Sequence, residues 1–577
     1  MRKLIAVLIL VTTVTAAFAQ EAAKPAKPAK AKTSPKQSTR VYVAGMPAGV
    51  TAAMNAIDAE KIRAHDRFLS DDLLEGRGTG QRGGDIAARY MAEEFEQYGL
   101  KPAGDNGTYF QKVPMVGMTV DPKQTTFALV PHSGAAMDLK FADDYITSNQ
   151  SQTPVADVNS DIVFVGYGID APEFDWNDYK DVDLHGKVLL MLVSEPPSDD
   201  VKFFNGKALT YYGRWVYKYE EAARRGAVGV LIIHKTDMAS YGWEVVRNSW
   251  SGESSYLAAG NQPKLKAASW IQLEVARKLF AAAGKDLDQE MEAAKSRDFH
   301  PVELSVRLKA HIVSKVRQID SSNVVAVLPG ADPKLKHEAI LYTAHYDHFG
   351  IRPGESGDNI YNGALDNGTG CAMLLELARA WTLAVPKPRR SIYFAAVTAE
   401  EQGLLGSKYL GEHPPVPAKD IQLDLNYDDV KPYGYPEQLE VVGYDRTTFA
   451  PVVEQTAKEF RLTIMPDAAP EAGHYYRSDH FSMARVGVPA FSVNTGRKYR
   501  DKTLEWGDQM YNEYTAKDYH HPSDEYRPEF DFTANAVMSK FGFALGWRAV
   551  ESPKTIEWKK DDEFEHARVQ SKQGGAE

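Results

Sequence analysis

The 577 residues contain a single cysteine, Cys371, so an intrachain disulfide is excluded and stability must come from packing or from bound ions. The thiol sits in "CAMLLELARAW", a stretch of helical periodicity, which makes it a core residue rather than a nucleophile. Beyond Ala19 no apolar run is long enough to cross a bilayer, so no membrane span is expected in the mature chain. Positive charge is also in deficit. The formal net charge is −11, and no basic stripe interleaved with aromatics is present, which excludes nucleic acid as the main partner. Residues 20–40 repeat Ala, Lys and Pro with no large apolar side chain. Nothing there offsets the entropy of ordering, and a disordered spacer over 20–42 is expected.

The chain opens with "MRKLIAVLILVTTVTAAFAQ", where Arg2 and Lys3 precede an apolar segment and Ala17-Phe18-Ala19 forms a small-x-small end. Residues 1–19 are therefore expected to be a secretory signal cleaved after Ala19, leaving a periplasmic or secreted protein. The remainder is ordinary globular material, 43% apolar and 25% charged, with length for roughly three to four domain-sized units. Residues 43–150 begin with helical patterns such as "DIAARYMAEEFEQYGL" and then turn β-like. Over 151–295, the runs "DIVFVGYG", "KVLLMLVSE" and "VGVLIIH" flank an amphipathic "YKYEEAARRGA", which predicts a self-contained α/β module. Within 296–552, strands "NVVAVLPG", "EAILYTA", "RSIYFAAV" and "VPAFSV" alternate with helices, the pattern of a mostly parallel α/β sheet with helices on both faces. Residues 553–577 form a charged tail whose last part, from Lys559, is expected to fray.

Sites in such sheets form just past the carboxyl ends of strands. There stand His345, Asp347 and His348 in "HYDHFG", Asp366 before "NGTG", Glu400 and Glu401 in "TAEEQG", and Asp428 and Asp429 in "NYDD". Further on come "HYYRSDHF" and "YHHPSDEY", with His520 and His521. Taken singly, Asp366 is as well explained as a helix cap, Asp428 as a turn residue and His520 as a surface histidine. Together they supply imidazoles and hard oxygens without thiolate, which suits two zinc ions bridged by one carboxylate. Divalent metal would also explain the adjacent acids. One of Glu400 and Glu401 would sit on the metal and the other stay free as a base.

The motifs "AHYDHFG", "NGALDNGTG", "TAEEQGLLGS", "NYDDV", "YRSDHF" and "YHHPSDE", with the upstream "LSDDLLEGRGTG" and "GLKPAGDNGTYFQ", resemble the di-zinc aminopeptidase family, which includes bacterial leucyl aminopeptidases and glutamate carboxypeptidase. Residues 151–295 look like the protease-associated domain often inserted in such enzymes, and 43–150 and 296–552 like the two parts of the peptidase domain. The resemblance implies His345 and Asp428 on one zinc, Asp366 as the bridge, and Glu401 and His520 on the second. It makes Glu400 the general base and Asp347 the acid that orients His345. Asp424 and Asp429 compete with Asp428, but the alternation of Ile421, Leu423, Leu425 and Tyr427 puts Asp428 on the opposite face at the strand's end. The family's Tyr-His-x-Pro spacing favours His520 over His521. A tyrosine shortly before "SDH" points to Tyr475, with Tyr476 as rival, as an oxyanion donor.

What the resemblance implies is exopeptidase action on peptides by zinc-activated water, with an aminopeptidase as the leading expectation. A carboxypeptidase of the glutamate carboxypeptidase type, a metal-free receptor-like relative and a single-zinc glutaminyl cyclase remain alternatives. The oligomeric state is not legible.

Overall fold

Residues 40–573 are described by the structure, a computed structural model, apart from 240, 259, 261–262, 353–356 and 468–469. The expected secretory signal and nearly all of the spacer lie outside the described residues.

The run Ala339–His345 is buried along its whole length, as a strand covered on both faces must be. It lies between Ser391–Val397 and Ile421–Asn426, parallel to both, and Ile421–Asn426 is parallel in turn to Ala490–Thr495. These four strands point their carboxyl ends the same way. Antiparallel partners flank them: Gln438–Val442 beyond Ala490–Thr495, and the long strand Val302–Leu328 beyond Ser391–Val397. The mostly parallel character is thus confined to the middle of the sheet, where the site lies.

Helix Thr369–Thr382 is buried on nearly every side because it is packed between the sheet and helices Ala59–Leu69 and Thr533–Glu551. Its centre, Cys-Ala-Met-Leu-Leu-Glu-Leu-Ala, holds strong helix formers and no β-branched residue. Each fully buried Leu or Phe in this core contributes about 1.5–3 kcal/mol. Tyr342, Trp381 and Phe543 carry the aromatic part, with Trp381 stacked on Phe543 at 4.2 Å. Cys371 is buried, and its Sγ donates to the His345 carbonyl at 3.0 Å, a packing role.

A second sheet holds four strands in parallel succession: Val155–Phe164, Val188–Leu192, Gly229–His234 and Ala267–Gln272. The long strand is shared between the two sheets. Its first half pairs with Thr126–Pro131 and Val155–Phe164, its second half with Phe110–Val120. The second sheet therefore reaches from Thr126 to Val313, wider than 151–295, because the edge of Val155–Phe164 away from Val188–Leu192 takes the long strand as its partner.

The expectation of fraying from Lys559 is corrected. Trp558 and Phe564 are buried, and residues Glu565–Gln573 form a helix. The acids in "KKDDEFE" have partners: Arg446 reaches Asp562 at 2.8 and 3.0 Å and Glu563 at 2.7 Å. Two aromatic anchors and a bidentate guanidinium offset the ordering cost that a charged tail alone could not.

Candidate metal centre

Each site residue follows a strand end or a helix end of the main sheet. His345 closes Ala339–His345, Glu400 and Glu401 follow Val397, and Asp428 follows Asn426. Asp366 lies in the turn Ala364–Gly368 that leads into helix Thr369–Thr382. The turn starts at Gly363, with φ +58°, where a Cβ would come within 2.2 Å of the Asp366 carbonyl and 2.7 Å of the His348 ring. Only glycine fits. His520 follows helix Leu504–Lys517.

Asp366 stands between two imidazoles. Its Oδ1 is 3.3 Å from His345 Nε2 and its Oδ2 is 3.3 Å from His520 Nε2. His345 Nε2 also lies 3.2 Å from Asp428 Oδ1, and His520 Nε2 lies 3.5 Å from Glu401 Oε2. Donor atoms of His345, Asp366 and Asp428 all come within 4.8 Å of one another, as do those of His348, Asp366 and Glu401. The five residues expected as ligands are thus brought together around one carboxylate.

Supports behind them fix their aim. Ser478 Oγ donates to Asp428 Oδ2 at 2.6 Å, and Asn494 Nδ2 to the Asp428 carbonyl at 2.8 Å. Asp524 accepts from the backbone N–H groups of Leu365 and Asp366 at 3.1–3.2 Å. The buried Arg77 donates to four carbonyls, those of Tyr346, Leu69, Asn362 and Gly363. It pins the "HYDHFG" and "NGALD" loops together, which gives the motif "EGRGTG" its structural task. Asp347 is fully buried; its Oδ1 accepts from the Glu400 N–H at 3.1 Å and its Oδ2 from Thr79 Oγ1 at 3.0 Å. His345 Nδ1 meets the Asp347 carbonyl oxygen at 3.2 Å, with the carboxylate at 3.9 Å, so this residue orients the imidazole chiefly through its main chain.

The rivals separate cleanly. Asp424 is buried beneath the site and accepts from Thr343 Oγ1; Asp429 is paired with Lys431; His521 is exposed. Tyr475 requires a correction. Its hydroxyl donates to the Ala490 carbonyl at 3.2 Å, its ring stacks on Phe564, and it does not line the cavity beside the cluster. The tyrosine pair points into apolar packing, and Tyr476 is likewise taken up by Glu563. Tyr519 does line that cavity, stacked on His520 at 3.8 Å. Its position directly before His520 was the available signal. His348, which the sequence places in the strand-end cluster without a role, also faces it: Nδ1 lies 2.6 Å from Glu401 Oε1, while Nε2 is buried without a partner among the described residues.

Burial pushes the Glu400 carboxyl well above the usual carboxylate range; His345 opposes this, and Glu401 and Asp428 reinforce it. Burial acts the same way on Asp366, but hydrogen bonds from His345 and His520 hold it well below that range. Asp347 and Asp479 add two more buried carboxylates, and both oxygens of Asp479 lack partners. Lys431, on the cavity wall, is taken up by Asp429. The cluster is thus rich in imidazole nitrogen and carboxylate oxygen. That donor set fits divalent zinc. The cluster opens on a cavity of about 280 Å³ whose wall includes Asp366, Glu400, Asp428, Arg477, Asn494 and Tyr519.

The family model for peptidase family M28 matches residues 323–540 of the chain. The chain is 31% identical to leupeptin-inactivating enzyme 1 of Streptomyces exfoliatus over 189 residues, 32% of this chain and 39% of that protein. It is 40% identical to aminopeptidase YwaD of Bacillus subtilis over 95 residues, 16% of this chain and 18% of that protein. The matches thus span less than half the length of either relative. Among solved structures, the aminopeptidase from Aneurinibacillus sp. strain AM-1 aligns over 87% of this chain and 96% of its own, with 19% identity and a TM-score of 0.47.

Proposed function

We propose that the protein is an exported zinc exopeptidase that removes N-terminal residues from peptides. The observation that carries this reading is Asp366, with one oxygen facing His345 and the other His520. In this reading His345, Asp366 and Asp428 hold one zinc, and Asp366, Glu401 and His520 hold the second. When bound, the ions polarise the scissile carbonyl and lower the pKa of water toward 7. Glu400 is the base. Its carboxylate takes the proton from the attacking water and hands it to the leaving amine, a task suited to a group whose pKa burial has raised. Asp347 holds the Glu400 main chain in place, and the Tyr519 hydroxyl, on the cavity wall, donates to the developing oxyanion.

The test combines metal content with end-group selectivity. Two zinc ions per chain and cleavage of leucine 4-nitroanilide, with no cleavage of its N-acetyl form, are expected. One zinc per chain with cyclisation of N-terminal glutamine would overturn the reading in favour of a cyclase. No bound metal would favour a receptor-like protein.

A further inference from the structure

Two guanidinium groups without anionic partners meet where the second sheet's domain touches the peptidase domain. Arg214 precedes helix Trp215–Arg224, and Arg477 immediately precedes Ser478, the residue that donates to Asp428. Both line one small cavity at this seam, with Tyr241 and Trp215 among its walls, and Arg477 lines the 280 Å³ cavity of the metal cluster as well. The two cavities therefore share Arg477 as a common wall. Among the described residues neither guanidinium makes a side-chain hydrogen bond or ion pair, although the exposed Glu471 lines the same seam.

Arg477 is exposed and Arg214 half-buried, and two guanidinium groups that face one pocket repel each other unless an anion is shared between them. Burial, with the nearby Arg477, lowers the Arg214 pKa to about 10, which registers the same deficit. Arg presents planar forked donors matched to a carboxylate. The other arginines at this interface are already committed: Arg485 to Glu220 and Arg446 to Asp562 and Glu563. We infer that Arg214 and Arg477 form a seat for a substrate carboxylate, and that this is the C-terminal carboxylate of a short peptide whose first bond lies at the metal cluster. The inference rests on the aminopeptidase reading and deepens it. An extended residue spans about 3.5 Å, so a seat beside the residue that supports Asp428 suits a di- or tripeptide. The domain of the second sheet then contributes a binding group, which would favour short substrates over long ones.

The experiment compares kcat/KM for Leu-Gly, Leu-Gly-amide, Leu-Glu-amide and leucine 4-nitroanilide, using the zinc-loaded full chain and its Arg214→Gln, Arg477→Gln and Arg214→Lys variants. In the wild type, Leu-Gly is expected to exceed its amide about tenfold or more, mainly through KM. Arg214→Gln should abolish that ratio while leaving the nitroanilide unchanged, and Arg477→Gln should abolish the ratio as well. Arg214→Lys should restore part of it, which a variant that had merely misfolded would not. Equal cleavage of Leu-Gly and its amide by the wild type would overturn the seat alone. If Leu-Glu-amide instead matches Leu-Gly, the seat reads a side-chain carboxylate and the C-terminal assignment is overturned. Failure of the wild type on all four substrates would overturn the aminopeptidase reading and the seat with it.

Discussion

Asp347 Oδ1 accepts a hydrogen bond from the backbone N–H of Glu400 at 3.1 Å. The loop after one central strand is thereby tied to the loop after its neighbour, and the position of the proposed base depends on a residue two places from a proposed ligand. Replacing Asp347 with Ala should lower kcat by about tenfold or more and weaken zinc affinity about 10–100-fold. Steady-state kinetics at saturating zinc, with zinc titration against a chelating dye, would check both. Wild-type values for both would remove Asp347 from the site.

Glu400→Gln should cut kcat by about 10²–10⁴-fold with both zinc ions retained, because an amide cannot accept the proton and the side chain is not a ligand in the proposed scheme. Glu401→Ala should lose metal together with activity. Elemental analysis of the two purified variants separates the adjacent acids, and near-normal turnover in Glu400→Gln would refute its role.

Tyr475→Phe is expected to leave kcat within about twofold, since its hydroxyl bonds the Ala490 carbonyl away from the cavity. Tyr519→Phe should lower kcat by about 10–10²-fold with little change in zinc content. Kinetics on leucine 4-nitroanilide would decide between the two tyrosines.

Arg77→Met removes the donor of four buried hydrogen bonds. A loss of at least about 3 kcal/mol is expected, since the freed carbonyls have no water to turn to. Arg77→Lys should rescue little of it, because an ammonium cannot reproduce the fork. Denaturant melts of the three proteins in excess zinc give the comparison.

Glu220, on helix Trp215–Arg224, ties the region of the second sheet to that of the main sheet through Arg485 at 2.8 and 3.1 Å and Lys408 at 3.3 Å. Burial raises its carboxyl, but the two cations outweigh burial and hold it at about 2. A folded pKa below the unfolded value gives stability that is present above about pH 4.5 and lost as the pH falls toward 2. The contribution at neutral pH is on the order of 3 kcal/mol. Glu220→Gln should therefore lower Tm at pH 7 and narrow its gap from the wild type at pH 3. An equal gap at both pH values would contradict this linkage.

The buried parallel strands were legible because a strand covered on both faces must be apolar throughout, as "AILYTA" and "SIYFAAV" are. The same logic placed His345, Glu400, Glu401 and Asp428 at their carboxyl ends. Tyr475 misled because a tyrosine near "SDH" satisfies a motif without revealing where its hydroxyl points. The C-terminal stretch misled in a similar way: its charges suggested solvent, and only the fold supplied Arg446 to pair with Asp562 and Glu563.

By itself, the sequence determined the layers, the strand ends and the donor types, because these follow from local apolar periodicity and from the chemistry of His, Asp and Glu. Tertiary structure decided which oxygen of Asp366 faces which imidazole, that Arg77 binds two loops together, and that Arg214 comes to lie beside Arg477. Those are contacts across tens to hundreds of residues, set by how sheets and helices pack, and no local pattern encodes them.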